Sequence, residues 1–156
     1  MKTLFVQCHL LNGKKFRDWA ISQGFDKTLG EKDFHITLAF SKEKVDWDKI
    51  DKKMTSNFSV EASDNRMIEP LGDKGAVVLR FSSEMLENRW KEFVDSGCSW
   101  DYDGYKPHIT ITYSGQEVDL ENVEPFAESL EFGPEIWKEV VLDWDKKVKE
   151  KTASER

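Results

Sequence analysis

Two cysteines and four prolines in 156 residues leave the chain few covalent or conformational constraints. No apolar run approaches the roughly 20 residues needed to cross a bilayer as a helix. Cys8 and Cys98 stand far apart with no Cys-x-x-Cys pair, which excludes a disulfide scaffold and a clustered zinc site. Residues 1–11 are apolar for too short a stretch to be a secretory signal and lack a small-residue cleavage site. Positive charge is also short: Lys plus Arg number 23 against 30 Asp plus Glu, a net charge of −7. Such a chain is repelled by long duplex nucleic acid, which is bound by neutralising its phosphates. A small anion in a local pocket stays compatible with it. The expectation is a soluble monomer of a reducing cytoplasm, with no membrane partner.

Aromatic residues, by contrast, are plentiful. Six Trp and ten Phe within a 38% hydrophobic composition supply a core that disordered chains lack. The length suits one domain, expected over residues 1–144, followed by a charged tail over 145–156.

Leu4, Val6, Cys8 and Leu10 alternate with Phe5, Gln7 and His9, the period of a strand. Asn12 is placed to cap a helix over 13–23, and Gly24 to end it. A strand over 34–40 follows, then a short helix capped by Asp46 that carries Trp47, Ile50 and Met54. Strands are expected over 57–63, 66–71 and 76–81, and a helix from Ser82 or Ser83 to Ser96, stopped by Gly97. Strands over 107–113, 128–132 and 137–143 complete the pattern. Strands and helices mix without strict βαβ alternation, so the expected class is α+β with a largely antiparallel sheet.

One internal repeat carries the chemistry. Phe34-His35-Ile36-Thr37-Leu38-Ala39-Phe40-Ser41 returns as Pro107-His108-Ile109-Thr110-Ile111-Thr112-Tyr113-Ser114. In a strand, residues two apart share a face. His35, Thr37, Ala39 and Ser41 then line one side, with Ile36, Leu38 and Phe40 toward the core. His108, Thr110, Thr112 and Ser114 do the same, opposite Ile109, Ile111 and Tyr113. A single histidine in such a strand is ordinarily a satisfied strand residue. Two of the three histidines in matching frames favour a paired site. Metal ligation fits poorly, because two histidines without a companion carboxylate or thiolate make an incomplete ligand set. No metal or cofactor is expected.

The two His-x-Thr strands resemble the signature of the 2H phosphoesterase superfamily, which carries it once in each of two pseudo-symmetric lobes. The resemblance implies mainly antiparallel strands flanked by helices, with the active-site cleft between the lobes. The segment 97–108, with Phe132-Gly133-Pro134-Glu135, is similar to the branch of phage anti-CBASS phosphodiesterases acting on cyclic oligonucleotides. That branch implies a metal-independent phosphodiesterase that hydrolyses cyclic di- or trinucleotides, counteracts bacterial CBASS immunity and works in a host cytoplasm. His35 and His108 are then the acid and base, in an order the sequence leaves open, and Thr37 and Thr110 steady the phosphate oxygens. Gln7, Tyr105 and Lys106 are further substrate-binding candidates. Glu135 and Trp144 are the counterparts of an acidic and an aromatic ligand contact in that branch. His9 lacks a repeat partner and reads as structural or exposed. Lys42 reads equally as an anion contact or a solvated surface residue. Trp100, Tyr102 and Tyr105 are placed to stack on a base. Two rival readings stay open: an RNA-processing enzyme for 2′,3′-cyclic phosphates or 3′ tails, and a nucleotide-binding module without catalysis.

Overall fold

A computed structural model describes residues 1–141. Trp144, the end of the expected last strand and the charged tail lie outside the described residues. Eight strands and two helices follow in the order β1 (Lys2–His9), α1 (Gly13–Ser22), β2 (His35–Val45), β3 (Phe58–Val60), β4 (Met67–Leu71), β5 (Ala76–Arg80), α2 (Glu84–Asp95), β6 (His108–Thr112), β7 (Leu130–Phe132) and β8 (Ile136–Lys138). They form a sheet ordered β2-β1-β8, a second ordered β4-β5-β6, and a β3-β7 pair. Every strand pairing is antiparallel. The two three-stranded sheets are the two lobes, each holding one His-Ile-Thr strand.

The core is as aromatic as the composition predicts. Phe16, Phe25, Phe34, Phe81, Phe93 and Phe132 are fully buried, among Leu4, Ile36, Leu38, Leu79, Leu86 and Ile109. Burying each such side chain contributes about 1.5–3 kcal/mol before entropy is counted. Helix α1 sends Phe16 and Ala20 into this core, and Phe16 meets Phe34 edge to face at 4.9 Å. Gly13 has to be glycine: a Cβ there would lie 2.0 Å from the Glu31 carbonyl oxygen. Helix α2 is capped by Ser83, whose hydroxyl accepts from the Leu86 amide, and Gly97 ends it at φ +107°.

Several expectations give way to tertiary context. The Asn12 side chain does not cap α1. It donates to the Ser129 carbonyl at 2.9 Å and accepts from the Glu131 amide, pinning the start of the helix to β7. Asp46 caps only a single 3₁₀ turn, Trp47–Lys49, and Met54 lies beyond it at φ 50°. The strand expected over 57–63 shrinks to three residues.

The strict alternation expected of both motif strands also fails, at the same place in each. Gln7 faces Thr37 while Val6 faces Ala39, so Leu38 is an extra residue on β2. Val78 faces Thr110 while Val77 faces Thr112, so Ile111 is an extra residue on β6. A bulge of this kind inverts every side chain beyond it. Ala39, Ser41 and Thr112 are therefore buried, and Phe40 and Tyr113 only half-buried, the reverse of the expected faces.

Candidate active site

The bulges leave the first half of each motif as the sequence predicts. His35 and Thr37, and likewise His108 and Thr110, project half-buried on one face, while Ile36 and Ile109 are fully buried on the other. Each histidine is oriented by its own chain. His35 Nδ1 bonds the Asp33 carbonyl at 2.9 Å, and His108 Nδ1 bonds the Lys106 carbonyl at 2.9 Å. A carbonyl only accepts, so in both rings Nδ1 carries the hydrogen. Each Nε2 is left without a hydrogen bond to the described residues, free to accept or to carry a proton. Repeat, bulge and tautomer obey the same two-fold relation.

The cross-strand neighbours differ between the lobes. His9 stands opposite His35, with ring centroids 6.4 Å apart, and Gln7 stands opposite Thr37. Arg80 stands opposite His108 and bonds Glu69 at 3.3 Å. Facing residues of antiparallel strands share a side of the sheet. Gln7 and His9 therefore lie on the His35 face, together with Lys138, which stands opposite Phe5 on β8. Arg80, Glu69 and Lys138 are charged residues of the two faces that sequence reasoning missed. Arg80 alone left a signal, as a cation inside the apolar run 76–81.

Burial lowers the pKa of both motif histidines, and the charges around them separate the two. His9 and His108 disfavour a proton on His35 and act more strongly than the Asp33 charge, which favours one, whereas Glu69 favours a proton on His108. The influence of His108 on His35 fits the packing of β2 against β6. Burial also lowers His9, with Lys138 adding to the effect. Cys8 is no nucleophile at neutral pH: burial, then Glu135, pushes its thiol up to about 12. Among the described residues, no group of three or more His, Cys, Asp and Glu side chains is arranged to hold a metal ion.

The loop before β6 binds the lobes together. Tyr105 stacks on Trp90 at 5.5 Å and donates to the Thr37 carbonyl at 2.7 Å. The Ser99 amide donates to the Ser41 hydroxyl, and Ser99 Oγ accepts from the Lys42 amide. Lys42 pairs with Asp101 at 2.8 Å across the same junction. Tyr102 is 71% exposed and meets Trp100 edge to face. Lys106 is exposed beside His108.

Glu135 stands apart from this face. Its carboxylate is buried and receives both Arg89 Nε at 2.6 Å and an Arg89 terminal nitrogen at 2.9 Å. Trp137 Nε1 adds a 3.2 Å bond. The acidic ligand contact that the resemblance implied is thus engaged inside the protein, and Trp144 lies outside the described residues.

The family of anti-CBASS protein Acb1 matches residues 2–147 of this chain. The chain belongs to the Acb1 family. Anti-CBASS protein Acb1 of Caulobacter sp. (strain RHG1) is 42% identical over 96% of this chain. That of Sphingomonas paeninsulae is 44% identical over 92% of it. The chain spans only 24% of the length of each of these two Acb1 proteins. Acb1 of Escherichia phage RB16 is 26% identical over 65% of this chain. The fold is that of E. coli LigT, whose crystal structure with 3′-AMP aligns with a TM-score of 0.57 at 17% identity, covering 90% of this chain and 95% of LigT. A structure described as a phosphoesterase aligns with a TM-score of 0.56. The α+β, bilobal, mainly antiparallel fold read from the sequence is the observed one. Among the described residues, no helix is long and apolar enough to cross a membrane.

Proposed function

We propose that this member of the Acb1 family is a metal-independent phosphodiesterase that opens cyclic di- and trinucleotides and so counters CBASS immunity. The observation that carries the reading is the duplicated His-x-Thr unit, with both Nδ1 hydrogens committed to carbonyls and both Nε2 atoms free. The names of the Acb1 relatives support the anti-CBASS role.

In this reading the scissile phosphate sits between the lobes. A neutral imidazole takes the proton from the attacking oxygen, the P–O bond to the leaving oxygen breaks, and the other imidazolium protonates that oxygen. Thr37 and Thr110 donate to the non-bridging oxygens, where negative charge builds. The surroundings favour His35 as the base, since His9 and His108 oppose its protonation. They favour His108 as the acid, since Glu69 supports its proton. Gln7 is placed beside Thr37 to contact the same phosphate. Lys106 and Lys138 are exposed cations for drawing in an anion.

The test is incubation with cyclic dinucleotides, cyclic trinucleotides and 2′,3′-cyclic nucleotides in EDTA, with products identified by mass. Linear products from cyclic oligonucleotides in EDTA support the reading. Cleavage confined to 2′,3′-cyclic ends moves the enzyme to RNA processing, and tight binding without products makes it a sequestering module. Activity lost in EDTA and restored by zinc or manganese overturns the two-histidine mechanism.

A further inference from the structure

Two features of the described residues lie outside this account. One is His9, whose ring stands 6.4 Å from that of His35 and lies against the Lys32 backbone, with its buried Nδ1 making no short hydrogen bond. The other is a cavity of about 420 Å³ beginning at His9 and running between the start of α1 and the loop before β2. That volume falls within the roughly 300–1,000 Å³ of small-molecule sites. The cavity therefore opens one residue position from the catalytic imidazole.

Its lining is mixed in a way that suits a nucleotide. Leu11 offers an apolar wall and is 54% exposed, a large hydrophobic side chain left uncovered. Lys14 and Lys32 line it with Glu31. Lys14 is paired with Asp18 at 3.1 Å, whereas Lys32 has no ion-pair partner among the described residues. The Glu31 carboxylate is an acceptor for a ribose hydroxyl or an exocyclic amine. The rim is firm, because Gly13 packs directly against the Glu31 backbone.

A cyclic dinucleotide places a geometric demand on the surroundings of the cleft. With one phosphate between His35 and His108, the far nucleotide with its own phosphate projects out of the cleft and needs a second seat. We propose that the cavity between His9 and Lys32 is that seat, with Lys32 countering the second phosphate, Leu11 packing the sugar or base, and His9 joining the two subsites. The inference rests on the cyclic-oligonucleotide reading of the site.

Leu11 and Lys32 are both exposed, so replacing them leaves the core untouched. The experiment compares kcat/KM for a cyclic dinucleotide with kcat/KM for a 2′,3′-cyclic mononucleotide, which has no second phosphate. Lys32→Glu and Leu11→Ser are each expected to lower that ratio about tenfold, within the range one pocket contact controls. They also weaken binding of the intact cyclic dinucleotide to the His35→Ala protein, measured by calorimetry. Parental ratios and affinities in both variants overturn the subsite while leaving the catalytic reading standing. A parent chain that turns over the mononucleotide but neither binds nor cuts any cyclic dinucleotide overturns the substrate reading, and the subsite with it.

Discussion

The Tyr105 hydroxyl donates a 2.7 Å hydrogen bond to the Thr37 carbonyl, fastening the segment that delivers His108 to the strand that carries His35. The bond meets β2 beside the bulge at Leu38, where the strand leaves regular alternation. Tyr105 thus spans the two halves of the repeat, a positioning role distinct from stacking on a ligand.

Tyr105→Phe keeps the ring on Trp90 and deletes only this tie. Losing one part-buried hydrogen bond costs about 0.5–1.5 kcal/mol. The expected outcome is a loss of stability of that size in urea denaturation, with kcat reduced more than KM is raised. Parental stability and kcat in this variant would show that the tie positions nothing.

The pH profile follows from burial. Because burial holds both motif histidines below the usual value near 6.5, the bell-shaped kcat/KM profile should peak on the acid side of pH 6.5. Its limbs belong to the coupled pair. Glu69 favours the charged form of His108, so Glu69→Gln should narrow the profile from its alkaline side as the acid loses its proton earlier. A maximum above pH 7.5, or a profile indifferent to Glu69→Gln, would contradict this electrostatic assignment.

Arg89 and Glu135 form a pair with both side chains 3% exposed. Arg89→Met strands the buried carboxylate and is expected to cost about 3–5 kcal/mol in urea denaturation. The double replacement Arg89→Met with Glu135→Leu removes both charges and should recover much of that loss. Additive losses in the double variant would show that the two groups do not act as a pair.

The His-x-Thr repeat was legible because His35, Thr37, His108 and Thr110 obey a local rule, two residues per strand repeat. The bulges at Leu38 and Ile111 were not, because an extra residue is defined only against the partner strand, and nothing in Leu38-Ala39 or Ile111-Thr112 marks it. The Asn12 cap gives way for a related reason: an N-cap is a local preference, and the start of β7 competes successfully for its side-chain amide. The Glu135 carboxylate finds Arg89 46 positions away, a pairing that no spacing pattern encodes.

The attacking oxygen is decided by a substrate analogue. A tethered ribose 2′-hydroxyl has a large effective-molarity advantage over water. A cyclic dinucleotide with 2′-deoxyribose at the cleaved position should then bind with parental affinity and resist cleavage. Cleavage at the parental rate would assign the attack to water.

The most direct measurement is kcat/KM on a cyclic dinucleotide for the parent, His35→Ala and His108→Ala, with folding of each checked by circular dichroism. A general acid or base contributes about 10²–10⁴-fold. A loss of that size is expected in each variant with the fold retained, since both side chains are half-buried and neither belongs to the core. Near-parental rates in both folded variants would contradict the two-histidine mechanism.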